Sequence, residues 1–255
     1  MPQQQGIVLA NDNNGIYMNG IDLNRLNGSI KSLRTEELCL PRGLNQAEIE
    51  RLLSIVKNHY SLHRGEHVFH KGDKSNSIFA VKSGVVKSYM PTDAGEEHVL
   101  GFHLSRELFG FDAFGESEFP YAAVALETAE VCELPISRLD ELCRELTGLR
   151  EVMHELIGKE IASEHMMLLM LGKKSAETRL ASFLFNLSRR MADRGYSPKE
   201  FELKMSRRDI GNYLGLAEET VSRLFTRLQD EKVITAARRH IHIDDMAKLQ
   251  KIAEI

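Results

Sequence analysis

The chain has 255 residues, 42% of them hydrophobic, a formal net charge of -4, and three cysteines, Cys39, Cys132 and Cys143. This length accommodates one large or two smaller domains with real cores, and two are expected. No run of about 18 apolar residues occurs, "MPQQQGIVLANDNNG" lacks a basic-then-apolar leader pattern, and three scattered thiols make neither a disulfide framework nor a CxxC metal site, so a cytoplasmic protein without a membrane partner is expected.

In chain order, residues 1–20 are rich in Gln and Asn with little apolar periodicity, which predicts a flexible tail without a fold. A short helix is expected over Asn45 to His59, capped by Asn45, with Ile49, Leu52, Leu53 and Val56 at helical spacing. From Glu66 to Pro135 the period changes: "HVFH", "SIFAVKSG", "VVKSYM", "HVLGFH" and "AEVCELP" are short apolar runs cut by glycines. Such runs predict an antiparallel roll or barrel, assigned here to residues 21–147 with flanking helices. Helical spacing returns near Leu149. Ile157, Ile161, Glu164, Leu168 and Leu171 alternate steps of four and three, the seam of a coiled coil, which predicts a dimerisation helix over 148–172 and a homodimer.

A basic hinge, "GKKSAE", leads into a C-terminal region, 173–255, that carries the most specific signal. In "RRDIGNYLGLAEETVSRLF" the apolar residues Ile210, Leu214, Leu216, Val221 and Leu224 surround Gly211 and Gly215, the spacing of a helix-turn-helix, and Ser206 with Asp209 predicts a capping box. "VITAARRHIHI" reads as two short strands around Arg238 and Arg239, a wing. From Lys173 to Ile243 there are 15 Lys/Arg against 9 Asp/Glu, a basic end on an otherwise acidic chain, as in many nucleic-acid binders. With Val221, Leu224 and Leu228 expected in the core, Glu219, Ser222, Arg223 and Thr226 form the outward stripe. A carboxylate accepts from a cytosine N4 amino group and an arginine donates to guanine O6 and N7, so Glu219, Ser222 and Arg223 are the expected base readers. Arg207, Arg208, Arg227, Arg238 and Arg239 are the expected phosphate contacts.

Several stretches in order carry a resemblance to a known family: "LCLP", "GFHL", "GFDAFG", "ALETAEVCELP", "NLSRR" and "DIGNYLGLAEETVSRL". They resemble the FNR branch of the CRP/FNR transcription regulators over roughly residues 35 to 245. The resemblance implies an α+β chain with a cyclic-nucleotide-binding-like antiparallel β-roll as sensor domain, a long dimerisation helix and a C-terminal winged helix-turn-helix. It further implies TTGAT half-sites in an inverted repeat and contact with RNA polymerase through "DAGEE", in which Asp93, Glu96 and Glu97 supply the charge.

Two departures from the family pattern bear on the signal. Cys39 and Cys132 match two of the family's four iron-sulfur ligands, but Leu33 and Ile30 stand at the other upstream positions, and neither binds iron. Phe111 stands where the cyclic-nucleotide pocket places a Glu, and Pro120 and Tyr121 replace its Arg-Ser clamp. No cofactor is therefore expected, and the standard cluster would need ligands from other groups or another chain. Haem or a redox thiol as signal is the alternative on the same fold. A cupin-type metalloenzyme built on His67, His70, His98 and His103 with Glu97 is the alternative outside it, although its expected His-x-His spacing is missing.

Overall fold

The computed structural model describes residues 10–12, 15–18, 21–22, 45–92 and 95–255. The chain forms two compact units, Met1–Leu38 and Cys39–Ile255. In the first, strands β1 (Ala10–Asp12), β2 (Gly15–Met18) and β3 (Ile21–Asp22) pair in sequence order as an antiparallel meander. Residues 1–20 thus contain strands where a foldless tail is expected.

The second unit begins with helix α1 (Gln46–Ser54), where Asn45 and Glu48 form a reciprocal capping box. It ends at Ser54 instead of His59, because Asn58 and His59 belong to strand β4 (Asn58–Leu62), which pairs with β11 (Ala129–Pro135) in the register His59↔Cys132. The side chain of Glu133, 7% exposed, accepts hydrogen bonds from Asn58, Tyr60 and Ser77. Burial opposes its charge, but these bonds outweigh burial and hold the carboxyl below its usual range. The helical period running through Val56 is overridden by this tertiary demand.

The remaining strands are β5 (His67–Phe69), β6 (Ser77–Ser83), β7 (Val85–Pro91), β8 (Glu97–Leu104), β9 (Leu108–Phe109) and β10 (Ala122–Ala125). They form two antiparallel four-stranded sheets, β5-β10-β7-β8 and β4-β11-β6-β9, which make up the roll. A cluster of rings packs through its core: Phe69 stacks on Phe119 at 3.8 Å between centroids, and Phe79, Phe109 and Tyr121 lie within 5.3 to 6.2 Å of Phe69. Tyr121, at the position expected to lack the clamp, spends its side chain on this cluster, and burial together with Asp112 raises its phenol pKa.

Helix α2 (Ile136–Glu145) follows the roll, and the 27-residue helix α3 (Thr147–Lys173) follows that. The C-terminal region comprises α4 (Ala176–Asp193), β12 (Glu200–Glu202), α5 (Arg207–Leu214), α6 (Glu218–Asp230), β13 (Ile234–Ala237), β14 (His240–Ile243) and α7 (Met246–Ala253). The wing is a three-stranded sheet, β12-β14-β13, one strand more than the sequence reading expects. This region does not close a core of its own: Val85, Val99, Phe102, Leu104 and Leu126 of the roll share one hydrophobic cluster with Leu184, Ile210, Val221 and Leu228.

Candidate nucleic-acid interface

The expected capping box at α5 is present, with Ser206 Oγ accepting from the Asp209 N–H and the Asp209 carboxylate accepting from the Ser206 N–H, both at 3.0 Å. Gly215 ends the helix at φ 63°, the left-handed conformation that glycine adopts without strain. Gly211 lies where the helices cross. A Cβ there would meet the Leu216 carbonyl at 2.6 Å, so only glycine allows this approach.

Helix α6 buries Val221, Phe225 and Leu228, with Leu224 half-buried. Phe225 thus takes the core place expected of Leu224. Glu219, Ser222, Arg223 and Thr226 are all exposed along the outward stripe. Glu218 and Glu219 occupy the first turn, where the helix dipole favours acid. Arg223 donates to Thr220 Oγ1 at 3.4 Å.

The expected phosphate contacts divide into two groups. Arg208 is exposed beside a small cleft with Glu96, Glu97 and Asp209, and Arg238 and Arg239 are exposed at the wing turn, Arg238 at φ 57°. Arg207 is half-buried with its guanidinium 3.3 Å from the centre of the Phe225 ring. Arg227 is 3.2 Å from Glu177 and 3.1 Å from Glu231. These last two hold the motif together as well as carrying charge.

In the acidic loop, Asp93 lies outside the described residues, Glu96 is exposed, and Glu97 pairs with Lys87. The seam of α3 carries Ile161 at 49% and Leu168 at 69% exposure, with Ile157 and Leu171 half-buried and Glu164 exposed.

The metal readings find little chemistry to rest on. Cys39, Ile30 and Leu33 lie outside the described residues. Cys132 is 1% exposed, its sulfur 3.3 Å from His59 Nδ1, and burial pushes the thiol pKa up, away from the thiolate that binds iron. Among the described residues no three or more His, Cys, Asp or Glu are grouped to hold a metal ion. The whole sequence has three cysteines, so one chain by itself does not supply four thiolates. His67 and His70 stack at 4.2 Å, and His103 stacks on Phe109 at 4.7 Å.

The sequence reading misses the residues that join the roll to the helix-turn-helix. Lys87 of β7 pairs with Asp209 at 3.0 Å, and Asn212 accepts from the Val99 N–H at 2.7 Å while donating to the Glu97 carbonyl. Glu107 takes Arg190 Nε at 2.9 Å and also pairs with Arg194. No local pattern marks these pairs, whose members are more than eighty residues apart.

With this geometry in place, comparisons with known proteins bear directly on what the chain is. Residues 178–252 match the Crp-like helix-turn-helix domain, and residues 60–145 match the cyclic nucleotide-binding domain. The chain is 47% identical to the transcriptional activator protein anr of Pseudomonas aeruginosa over 85% of its own length and 88% of that protein. It is 44% identical to the fumarate and nitrate reduction regulatory protein of Escherichia coli, covering 85% and 87% of the two chains. The solved structure of FixK2 from Bradyrhizobium japonicum superposes with a TM-score of 0.70 at 26% identity, covering 76% of this chain and 96% of that one. These relatives are regulators and not enzymes, which sets the cupin-type reading aside, and among the described residues no helix is long and apolar enough to cross a membrane. The chain belongs to the CRP/FNR family of transcription regulators, and its helix-turn-helix is the family's DNA-binding part.

Proposed function

We propose that this regulator works in the cytoplasm as a homodimer on inverted repeats of TTGAT-type half-sites, contacts RNA polymerase through its acidic hairpin, and has no four-thiolate cluster. One observation carries the reading: Glu219, Ser222, Arg223 and Thr226 stand exposed on one stripe of α6, whose opposite side is anchored by Val221, Phe225 and Leu228. A carboxylate and a guanidinium one turn apart match the cytosine N4 donor and the guanine O6/N7 acceptors that such a half-site offers in the major groove. Arg208, Arg238 and Arg239 supply exposed positive charge for the phosphates. The apolar stripe of α3 supports pairing with a second copy, because water-exposed Ile161 and Leu168 are stabilised by burial.

The test is a purification without oxygen, an absorption spectrum with an iron assay, and titration of duplexes with and without the repeat in both atmospheres. The expected result is tight, salt-sensitive binding to the repeat, alike with and without air, and no visible band. A haem band, or an aerobic loss of binding reversed by iron and sulfide, overturns the cofactor-free reading. Equal affinity for a scrambled duplex overturns the readout.

A further inference from the structure

Several contacts hold the C-terminal region, with its α5–α6 motif, against the rest of the chain. Arg179, at the start of α4, donates to the Leu171 carbonyl at 2.7 Å, the Lys174 carbonyl at 3.1 Å and the Leu214 carbonyl at 3.1 Å. It therefore pins the end of α3, the hinge and the end of α5 together. A single pin permits rotation about itself, and three contacts with the roll remove that freedom. Phe102 of β8 meets the ring of Tyr213 at 5.3 Å and that of Phe183 at 6.1 Å. Glu107 holds Arg190 of α4 and Arg194 just after it. At the far side, Lys87 reaches Asp209 while Asn212 occupies the open edge of β8 through the Val99 N–H and the Glu97 carbonyl.

The last of these contacts is the one whose chemistry stability explains least. The Lys87 side chain is 7% exposed and its charge is met by Glu97 of the roll and Asp209 of the motif. Burial alone would lower its pKa, but hydrogen bonds to the two carboxylates raise it above the ordinary lysine value. A buried ion pair adds little net stability over an apolar pair of the same shape, yet it strongly penalises misalignment, because a displaced partner leaves a charge uncompensated. Asp209 serves at once as the cap of α5 and the partner of Lys87, so the register of the helix and its placement on the roll are set by one carboxylate.

We propose that Lys87, Asp209 and Asn212 are positioning residues for DNA reading, fixing the direction of α6 on the roll and thereby the half-site spacing that the dimer accepts. The inference rests on the dimeric reading above. In a symmetric dimer each reading helix is carried by its own roll, so a small rotation of the motif changes the distance and angle between the two helices, while each helix still reads its half-site.

The experiment compares full-length wild type, Lys87→Met and Asn212→Ala on duplexes whose two TTGAT half-sites are spaced at the preferred distance or displaced by one or two base pairs, and on a single half-site. Thermal melting confirms that each variant is folded. Lys87→Met keeps the length and volume of the side chain, and Asn212→Ala alters an exposed residue. The expected result is single-half-site affinity within about twofold of wild type, with the preference for one spacing reduced about tenfold, the size of a coupling between residues in contact. Spacing preference carried unchanged into both folded variants overturns the inference alone. A parallel loss on the single half-site also overturns it, since the contact would then serve reading itself. A wild type that binds paired and single half-sites alike overturns the dimeric reading and this inference with it.

Discussion

Two arginines on the same domain are expected to behave differently because in the proposed reading they face different parts of the duplex. Arg223, exposed on the stripe of α6, pairs bidentately with guanine in the proposed reading, so Arg223→Ala loses about 1 to 3 kcal/mol on the TTGAT repeat and little on random DNA. Arg239, exposed at the wing turn, is a phosphate contact in the same reading, so Arg239→Ala weakens both duplexes alike and flattens the salt dependence by about one unit of slope. Titrations at several salt concentrations separate the two, and an equal loss on both duplexes for Arg223→Ala would remove it from the reading positions. A second residue gives a stability prediction. His103 stacks on Phe109 and meets Ser88 Oγ at 3.0 Å, and desolvation, opposed by Glu107 and aided by Arg190, pushes its pKa down to about 4. In the unfolded chain the ring titrates near the usual value of about 6.5. Between these values the unfolded state binds more protons, so the contribution of neutral His103 is whole above the upper one and declines as pH falls toward the lower. Urea unfolding at pH 7 and pH 5 should show wild type losing about 2 kcal/mol more over that interval than His103→Gln. Equal losses would mean that the ring takes up its proton in the folded protein.

At the scale of elements, what the sequence discloses depends on whether the signal is local. The cap at Asn45, the capping box at Ser206, the Gly211 crossing and the Gly215 turn follow from residues within a few positions of one another and are found where the spacing puts them, whereas on the apolar side of α6 Phe225 is buried in place of Leu224. The short apolar runs "SIFAVKSG" and "AEVCELP" likewise disclose β6 and β11, although which strands pair is not written in either. The misses have long-range causes. Asn58 and His59 continue a helical period yet join β4, because the bonds to Glu133 and pairing with β11 come from across the roll. Strand β12 is only three residues long, too short for a periodic signal, and exists because β14 offers it an edge. Of the candidate interface, exposure of Glu219, Ser222 and Arg223 follows from helical geometry, whereas the engagement of Arg207 by Phe225 and of Arg227 by Glu177 and Glu231 needs the packed motif. The contact of Lys87 with Asp209 joins residues 122 positions apart, and no short window of sequence contains it.

At the scale of the whole molecule, the arrangement leaves α3 with exposed apolar surface among the described residues. Ile161 is 49% exposed and Leu168 69%, seven residues apart on one side of the helix, while Leu149, Val152 and Met153 at its start are buried. Paired helices would cover the stripe in coiled-coil fashion, and Glu164 would then bring a carboxylate of each copy toward the same apolar line. Its own neighbourhood is already acidic: Glu160 stands one turn away, and desolvation followed by the charge of Glu164 raises the Glu160 carboxyl pKa. Two changes on this stripe should therefore act in opposite directions. Leu168→Asp adds charge where burial is required and should abolish the dimer, reducing binding on a paired-site duplex to the level of a single half-site. Glu164→Ala removes like-charge repulsion and should tighten the dimer several-fold, on the order of 1 kcal/mol, strengthening paired-site binding without changing the single-site affinity. Sedimentation of wild type and both variants, followed by titration of paired and single half-sites, measures each step. A dimer constant unchanged by Glu164→Ala would mean that its carboxylate remains in water beside the seam, and a dimer that survives Leu168→Asp would place the contact between copies elsewhere on the molecule.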